Sequence, residues 1–302
     1  MKSDASYAQF VVERMLPLIQ GLEGHAAAIS NSHDPRHLHR IRVLMRRLRD
    51  TMRIFKGFFP AAERKNWDHH LRKVSKISSR GRDIDVQIQF LERYRRAVAP
   101  RKDKNDILVL KNRFIRRRQQ LQPQILRSLR HLFRCGILGQ IQAALQAKAK
   151  TKKTPFDYLY LIGWAALSRR VAKELALESC VDLSRAVREL HQLRIANKHL
   201  RYAMETLREI YTPEIDRFLE PVVFFHRTLG EMHDYDVWLR LITDLQRDHR
   251  KARAVRAHEN LKKHCEERRA ECYNTFQHSW HLKRAHLFFE DLLGYVYSCS
   301  VR

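Results

Sequence analysis

Apolar residues recur at three- and four-residue spacing along almost the whole chain, the period of a helix that turns one face to a core. No stretch shows the strict alternation of a half-buried strand. The pattern is interrupted near Asn31 to Pro35, Phe59 to Ala61, Ser78 to Gly81, Pro100 to Asn105, Lys148 to Pro155, Ser179 to Leu183, Tyr211 to Pro213 and around His233. Only 9 Gly and 8 Pro punctuate 302 residues, so the helices between those breaks are long. Lys148 to Pro155 is polar, basic and without periodicity, which makes it the expected linker between a first half, residues 1–150, and a second, residues 151–302.

The two halves repeat one another. His39-Arg-Ile-Arg-Val-Leu-Met-Arg-Arg-Leu-Arg49 and His191-Gln-Leu-Arg-Ile-Ala-Asn-Lys-His-Leu-Arg201 share the pattern H-x-x-R-h-x-x-[RK]-x-L-R, where h is apolar and β-branched. Each is followed, after a further helix length, by D-x-D-V: Asp83 to Val86 and Asp234 to Val237.

On a helical wheel with His39 at zero, Arg42, Arg46, Arg49 and Arg53 fall between roughly 280° and 340°, one narrow basic stripe. Ile41, Leu44, Met45, Leu48, Met52 and Phe55 fall between about 140° and 240°, the stripe that packs inward. In the second copy His191, Arg194, Lys198 and Arg201 form the basic stripe and Leu193, Ala196, Leu200, Met204 and Leu207 oppose it. Glu205 stands where the first copy has Arg53, so this stripe is either shorter or ends in an internal ion pair; Tyr202 lies beside it. Further basic positions follow the first stripe at Arg72, Lys73, Lys76, Arg80 and Arg82, of which Arg72, Lys76 and Arg80 share a face. Lys111, Arg113, Arg116, Arg117 and Arg118, and in the second half Lys262, Lys263, Arg268 and Arg269, read as general surface charge, and Arg227 as a further binding candidate.

Charge gives these stripes a meaning. Lys and Arg total 59 against 33 acidic residues, a formal net charge of +26. A folded chain that basic repels itself, which points to an anionic partner: nucleic acid, polyphosphate or an anionic membrane. Like charges at i,i+4 cost a few tenths of a kcal/mol per pair, yet the stripes place several in a row with no acid interleaved. From His39 to Arg53 the row is about 20 Å long, enough to meet several anionic groups of a linear polymer, and the planar arginine fork suits phosphate oxygens. His39 and His191 would add donors that strengthen as they protonate.

The D-x-D-V segments are expected at helix starts, where they either cap the helix or, through Asp83 and Asp234, hold stripe arginines in place; two carboxylates could also hold Mg²⁺ with phosphate. No metal site or cofactor is otherwise indicated. The 5 cysteines are odd in number and lack CxxC spacing, and neither His33, His37 and His39 nor Cys265, Cys272, His278 and His281 has a recognised ligand spacing. A reducing, cytoplasmic setting is expected. Met1 to Gly24 lacks the unbroken apolar core of a signal peptide, and no stretch approaches the roughly 18 apolar residues of a membrane span.

The repeated basic motif, its second copy ending Lys198-His-Leu-Arg-Tyr202, and the two Asp segments closely resemble the CHAD family, the conserved histidine α-helical domain, over essentially the whole chain. The resemblance implies an all-α fold of two pseudo-symmetric four-helix bundles with a basic central pore or groove. It implies binding of inorganic polyphosphate by His39, Arg42, Arg46, Arg49, His191, Arg194, Lys198 and Arg201, and by Arg72, Lys76 and Arg82 of the following helix. It also implies association with polyphosphate or storage granules in some members. Ser78 to Gly81 and His233, which stands where the first copy has Arg82, depart from the symmetry of the motif. The E-x-E-x-K segment of the triphosphatase domain that often accompanies the family is missing, so hydrolysis is not implied. Non-catalytic polyphosphate binding is therefore expected, with nucleic-acid binding as the alternative and a phosphoanhydride hydrolase behind both. Against the alternative, the stripes carry no interleaved aromatic platforms for bases.

Overall fold

A computed structural model describes residues 6–31, 34–150, 155–211, 213–248 and 252–301. Among them are ten α-helices, two short 3-10 turns and no strand, so the protein is all-α. The helices are α1 (Tyr7–Asn31), α2 (Pro35–Ile54), α3 (Ala61–Ala97), α4 (Lys104–Arg134), α5 (Ile137–Ala149), α6 (Tyr158–Leu175), α7 (Val187–Leu207), α8 (Ile215–Asp248), α9 (Ala252–Ala285) and α10 (Phe288–Ser300). They fall into two compact units, Met1–Tyr158 and Leu159–Arg302. The expected linker lies partly outside the described residues, at 151–154.

In the first unit α1 packs on α2, α2 on α3, α3 on α4 and α4 back on α1, and the short α5 lies chiefly against α1. Helix α2 owes its start to Asp34, whose side chain accepts a hydrogen bond from the Arg36 N–H at 2.8 Å, and to Pro35 in the first turn. Its apolar stripe is buried as expected: Ile41, Met45, Leu48, Met52 and Phe55 all lie in the core, with Leu44 half-buried, and Leu38 joins them. Burying a side chain of this kind contributes about 1.5–3 kcal/mol, which sets the rotation of α2 and turns the basic stripe away from the core and towards α3.

In the second unit α7, α8 and α9 pack in succession and α10 lies on α8 and α9. Leu193, Leu200, Met204 and Leu207 of α7 are buried, while Ala196 is half-buried. Helix α6 is tied to α7 by Asn197, which donates to Glu174 Oε1 at 2.8 Å, with both residues fully buried. Tyr211 lies so close to Gly163 of α6 that a Cβ there would come within 2.2 Å of its hydroxyl oxygen. Phe225, Phe276, Trp280 and Phe289 form the aromatic centre of this unit, with neighbouring rings 5.3 to 5.8 Å apart.

Three sequence expectations need correction. Ser78 to Gly81 is no break but the interior of α3, because Gly81 serves close approach: a Cβ there would stand 2.7 Å from Ile125 of α4 and 2.9 Å from Leu38 of α2. The region of His233 is likewise continuous helix within α8. The D-x-D-V segments consequently sit in the middle of α3 and α8, where no free backbone N–H groups await a cap. A turn the periodicity did not mark comes before the last helix of each unit. Gly136 precedes α5 at φ 64° and Leu287 precedes α10 at φ 51°, both left-handed.

Candidate functional site

In the first unit the basic stripe of α2 faces α3. His39 is exposed and Arg42 and Arg46 are half-buried. The Arg42 guanidinium lies 3.6 Å from Asp83 of α3. Further along, Arg49 Nε donates to Asp68 Oδ1 at 2.7 Å, Arg53 reaches Asp50 at 2.6 Å and Asp68 at 3.8 Å, and Arg72 donates to the other Asp68 oxygen at 2.9 Å. Burial alone would raise the Asp68 carboxyl. The bond and charge of Arg49, joined by Arg72 and Arg53, outweigh it and hold the group below the ordinary carboxylate range.

The stripe is therefore not free of acids, as α2 alone suggested, because α3 brings Asp68 and Asp83 against it. It remains strongly positive. Arg49, Met52, Arg53, Arg64, Lys65, Asp68, His69 and Arg72 line a cavity of about 290 Å³, in which five cationic side chains face one carboxylate. Arg64 Nε is buried there with no hydrogen-bond partner among the described residues. Lys76 and Arg80 continue the face of Arg72 along α3 and are exposed. Arg82 comes close to His39: burial first, then Arg82 and Arg42, lower the pKa of that imidazole.

In the second unit His191 of α7 meets His233 of α8, the two Nδ1 atoms 3.1 Å apart and the ring centres 4.1 Å. Burial, Arg194, His191 and Arg240 together push His233 down to about 3; burial, Arg194, Lys198 and Arg240 lower His191, against the pull of Asp236. The expected protonation of His39 and His191 is thus displaced to more acid pH. Near neutrality both act as uncharged hydrogen-bonding groups, and the arginines and lysines carry the positive charge. Arg201 is engaged by Glu205 at 2.7 Å, so the second stripe does end in an internal ion pair. Tyr202 is buried, with the Arg201 guanidinium 5.9 Å from its ring centre. Arg227 stacks on Phe224 and lines a hollow whose other charged residues are Arg208, Asp216 and Glu220, none of them from the α7 stripe. Asp234 is exposed.

The sequence reading missed the acids that anchor this arrangement. Asp85 and Asp236, the second aspartates of the two D-x-D-V segments, are buried. Arg118 of α4 donates to Asp85 at 2.8 Å, and Arg269 of α9 donates to Asp236. Both arginines, whose sequence pattern alone reads as surface charge, are only 14% exposed at the side chain. Each follows its aspartate by 33 residues, a coincidence between the halves that could have exposed the pairing. Arg240, beside both histidines, was also missed. His37 contacts His25 of α1 at 3.2 Å, His281 contacts Asp182 at 2.8 Å, Cys265 and Cys272 are buried, and His33 lies outside the described residues.

Two helical units, each with a cationic face on its second helix and a buried acid–arginine pair between the two helices that follow, make up a basic, all-helical protein. The family model of the CHAD domain matches residues 14–243, and the chain belongs to that family. Its fold is similar to that in the crystal structure of the CHAD domain from the plant Ricinus communis, with a TM-score of 0.69 and 20% identity over 93% of each chain. It is also similar to PptA from Streptomyces chartreusis, with a TM-score of 0.60 and 14% identity over 92% of this chain and 100% of that one. No curated protein matches the sequence. No helix among the described residues is long and apolar enough to cross a membrane.

Proposed function

We propose that the protein binds inorganic polyphosphate, or an equally dense linear polyanion, without transforming it. The reading rests above all on the Asp68 cavity, where five cationic side chains from α2 and α3 surround one carboxylate at the end of the α2 stripe. Phosphate oxygens spaced along a polymer meet guanidinium groups spaced along a helix, and each bidentate contact releases counterions from the polymer. The membership of a CHAD family and the net charge of +26 support the same reading.

A non-catalytic role fits the carboxylates at hand. Phosphoryl transfer by metal ions needs acids that can hold the metal, whereas Asp68, Asp83, Asp85 and Asp236 are engaged by arginines. Association with polyphosphate granules follows from the same affinity and is part of the proposal.

Titration with polyphosphate of defined length tests it. The wild type binds, and two variants, one with Arg49, Arg53 and Arg72 of the cavity and one with Arg42, Arg46, Arg194 and Arg201 changed to Ala, each bind at least about tenfold more weakly, a loss of roughly 1.4 kcal/mol. Undiminished binding by the first refutes the assignment to the cavity, and by the second the assignment to the stripes. In competition at equal phosphate concentration polyphosphate displaces single- and double-stranded nucleic acid; the reverse outcome transfers the function to nucleic acid. Steady release of phosphate by purified protein with Mg²⁺ or Mn²⁺ overturns the non-catalytic reading.

A further inference from the structure

Away from the stripe, α3 and α4 bring together three side chains to which the polyanion reading gives no task. His70 comes from α3, His131 from the last turn of α4, and Cys135 caps the C-terminus of α4. His131 and Cys135 are four apart and so share a face of the helix. Cys135 Sγ lies 3.6 Å from His131 Nε2, and the His70 and His131 rings are tilted by 31° with centres 6.0 Å apart. One donor atom from each of the three residues lies within 4.8 Å of the other two.

These distances suit a particular kind of ion. Zinc bonded at about 2.0–2.1 Å to nitrogen and about 2.3 Å to sulfur, in a tetrahedron, sets N and S about 3.6 Å apart. The Cys135 to His131 separation already has that value. His70 closes the remaining gap by turning its half-buried ring, and His131 is exposed and free to adjust. Two imidazoles and a thiolate form a borderline-soft donor set, which selects zinc over magnesium or calcium.

The surroundings hold the donors in place. Gln140 Nε2 donates to the Cys135 carbonyl at 3.3 Å, and Gln140 Oε1 accepts from Trp67 Nε1 at 3.2 Å, so the turn carrying Cys135 is tied to α3 one turn before His70. The terminal carbonyls of α4 add negative potential that favours a cation. Lys73 acts in the opposite sense, making the site weaker than a closed four-ligand one.

We propose that His70, His131 and Cys135 form a zinc site with three protein ligands and a fourth position open to solvent. The open position is filled by water, and the ion clips the end of α4 to α3; among the described residues the second unit has no such cluster.

Cobalt(II) added to untagged, reduced protein tests this independently of any polyanion. One cobalt ion per chain is expected, with the thiolate-to-metal charge-transfer band and the visible bands of a four-coordinate ion, displaced by one equivalent of zinc. Cys135→Ser removes the charge-transfer band. His70→Ala, and separately His131→Ala at its exposed position, weaken zinc binding by at least about tenfold in competition with a chromophoric chelator, the loss that even an outer partner of a ligand can cause. Circular dichroism unchanged in His131→Ala separates loss of a ligand from loss of the fold. Absence of the charge-transfer band in wild type, or its persistence in Cys135→Ser, overturns the proposal.

Discussion

Glu174 is fully buried in the second unit, and among the described residues its side chain has one hydrogen bond, the 2.8 Å bond that Asn197 Nδ2 donates to Oε1. Its Oε2 and Asn197 Oδ1 have no partner among the described residues. Burial pushes the carboxyl up to about 8, and the Asn197 bond only partly opposes this. At neutral pH the folded protein therefore carries a protonated Glu174, whose O–H is a donor that the orphaned Asn197 oxygen can accept.

The cost is calculable. An unfolded carboxyl has a pKa of 4.5, so keeping the proton at pH 7 costs about 1.36 kcal/mol for each of two and a half pH units, about 3 kcal/mol in all. Because the folded pKa lies above the unfolded one, this stability is fully present below the unfolded value and is lost as pH rises towards 8. Glu174→Gln keeps the shape, the acceptor and a donor, and cannot ionise. Urea unfolding from pH 5 to pH 9, followed by a probe in the second unit, should show the variant gaining on wild type by about 1.4 kcal/mol per pH unit, reaching about 3 kcal/mol at pH 7 and flattening above 8. A variant that is less stable at pH 7, or that shows the same pH slope as wild type, refutes a protonated, buried glutamic acid.

Gly81→Ala should destabilise the first unit by about 1 kcal/mol, since overpacking against Leu38 and Ile125 exceeds the gain in helix propensity; adding Ile125→Val, which removes the clashing methyl, should recover most of it in thermal melts. Leu287→Gly should stabilise by roughly 1 kcal/mol, because an exposed leucine is held at φ 51°; no change in denaturation midpoint would mean the turn is not strained. Asp68→Asn should cost about 1–3 kcal/mol by loosening Arg49, Arg53 and Arg72. As the Asp68 pKa is depressed, its stabilisation is present above the unfolded carboxylate range and lost in acid, so the gap between variant and wild type should close as pH falls; a gap constant with pH refutes it.

The helices and the inward faces of α2 and α7 were legible from periodicity, because burial of one stripe fixes the rotation of a helix. What periodicity could not supply was contact between helices. Glycine inside a polar run signals either a break or a close approach, and only Leu38 and Ile125, from two other helices, decide for the second at Gly81. The two aspartates of D-x-D-V differ by about 200° around a helix, so one must face inward and the other out. Sequence order does not say which; only the contacts of Arg118 and Arg269 show that Asp85 and Asp236 are the inward members. Leu287 shows the same limit in reverse, since leucine gives no local sign of a left-handed turn that glycine makes plain at Gly136.

Three arginines from two helices already converge on Asp68 before any ligand arrives. Each such side chain has about 2 kcal/mol of rotamer entropy to surrender, and much of that has been given up during folding. In the proposed function the carboxylate that gathers them would also set a threshold. A singly charged ion would find forks already occupied and have little to offer in exchange, whereas a chain presenting several oxygens at once could engage the outer edges of all three together. Discrimination by charge density thus needs no moving part.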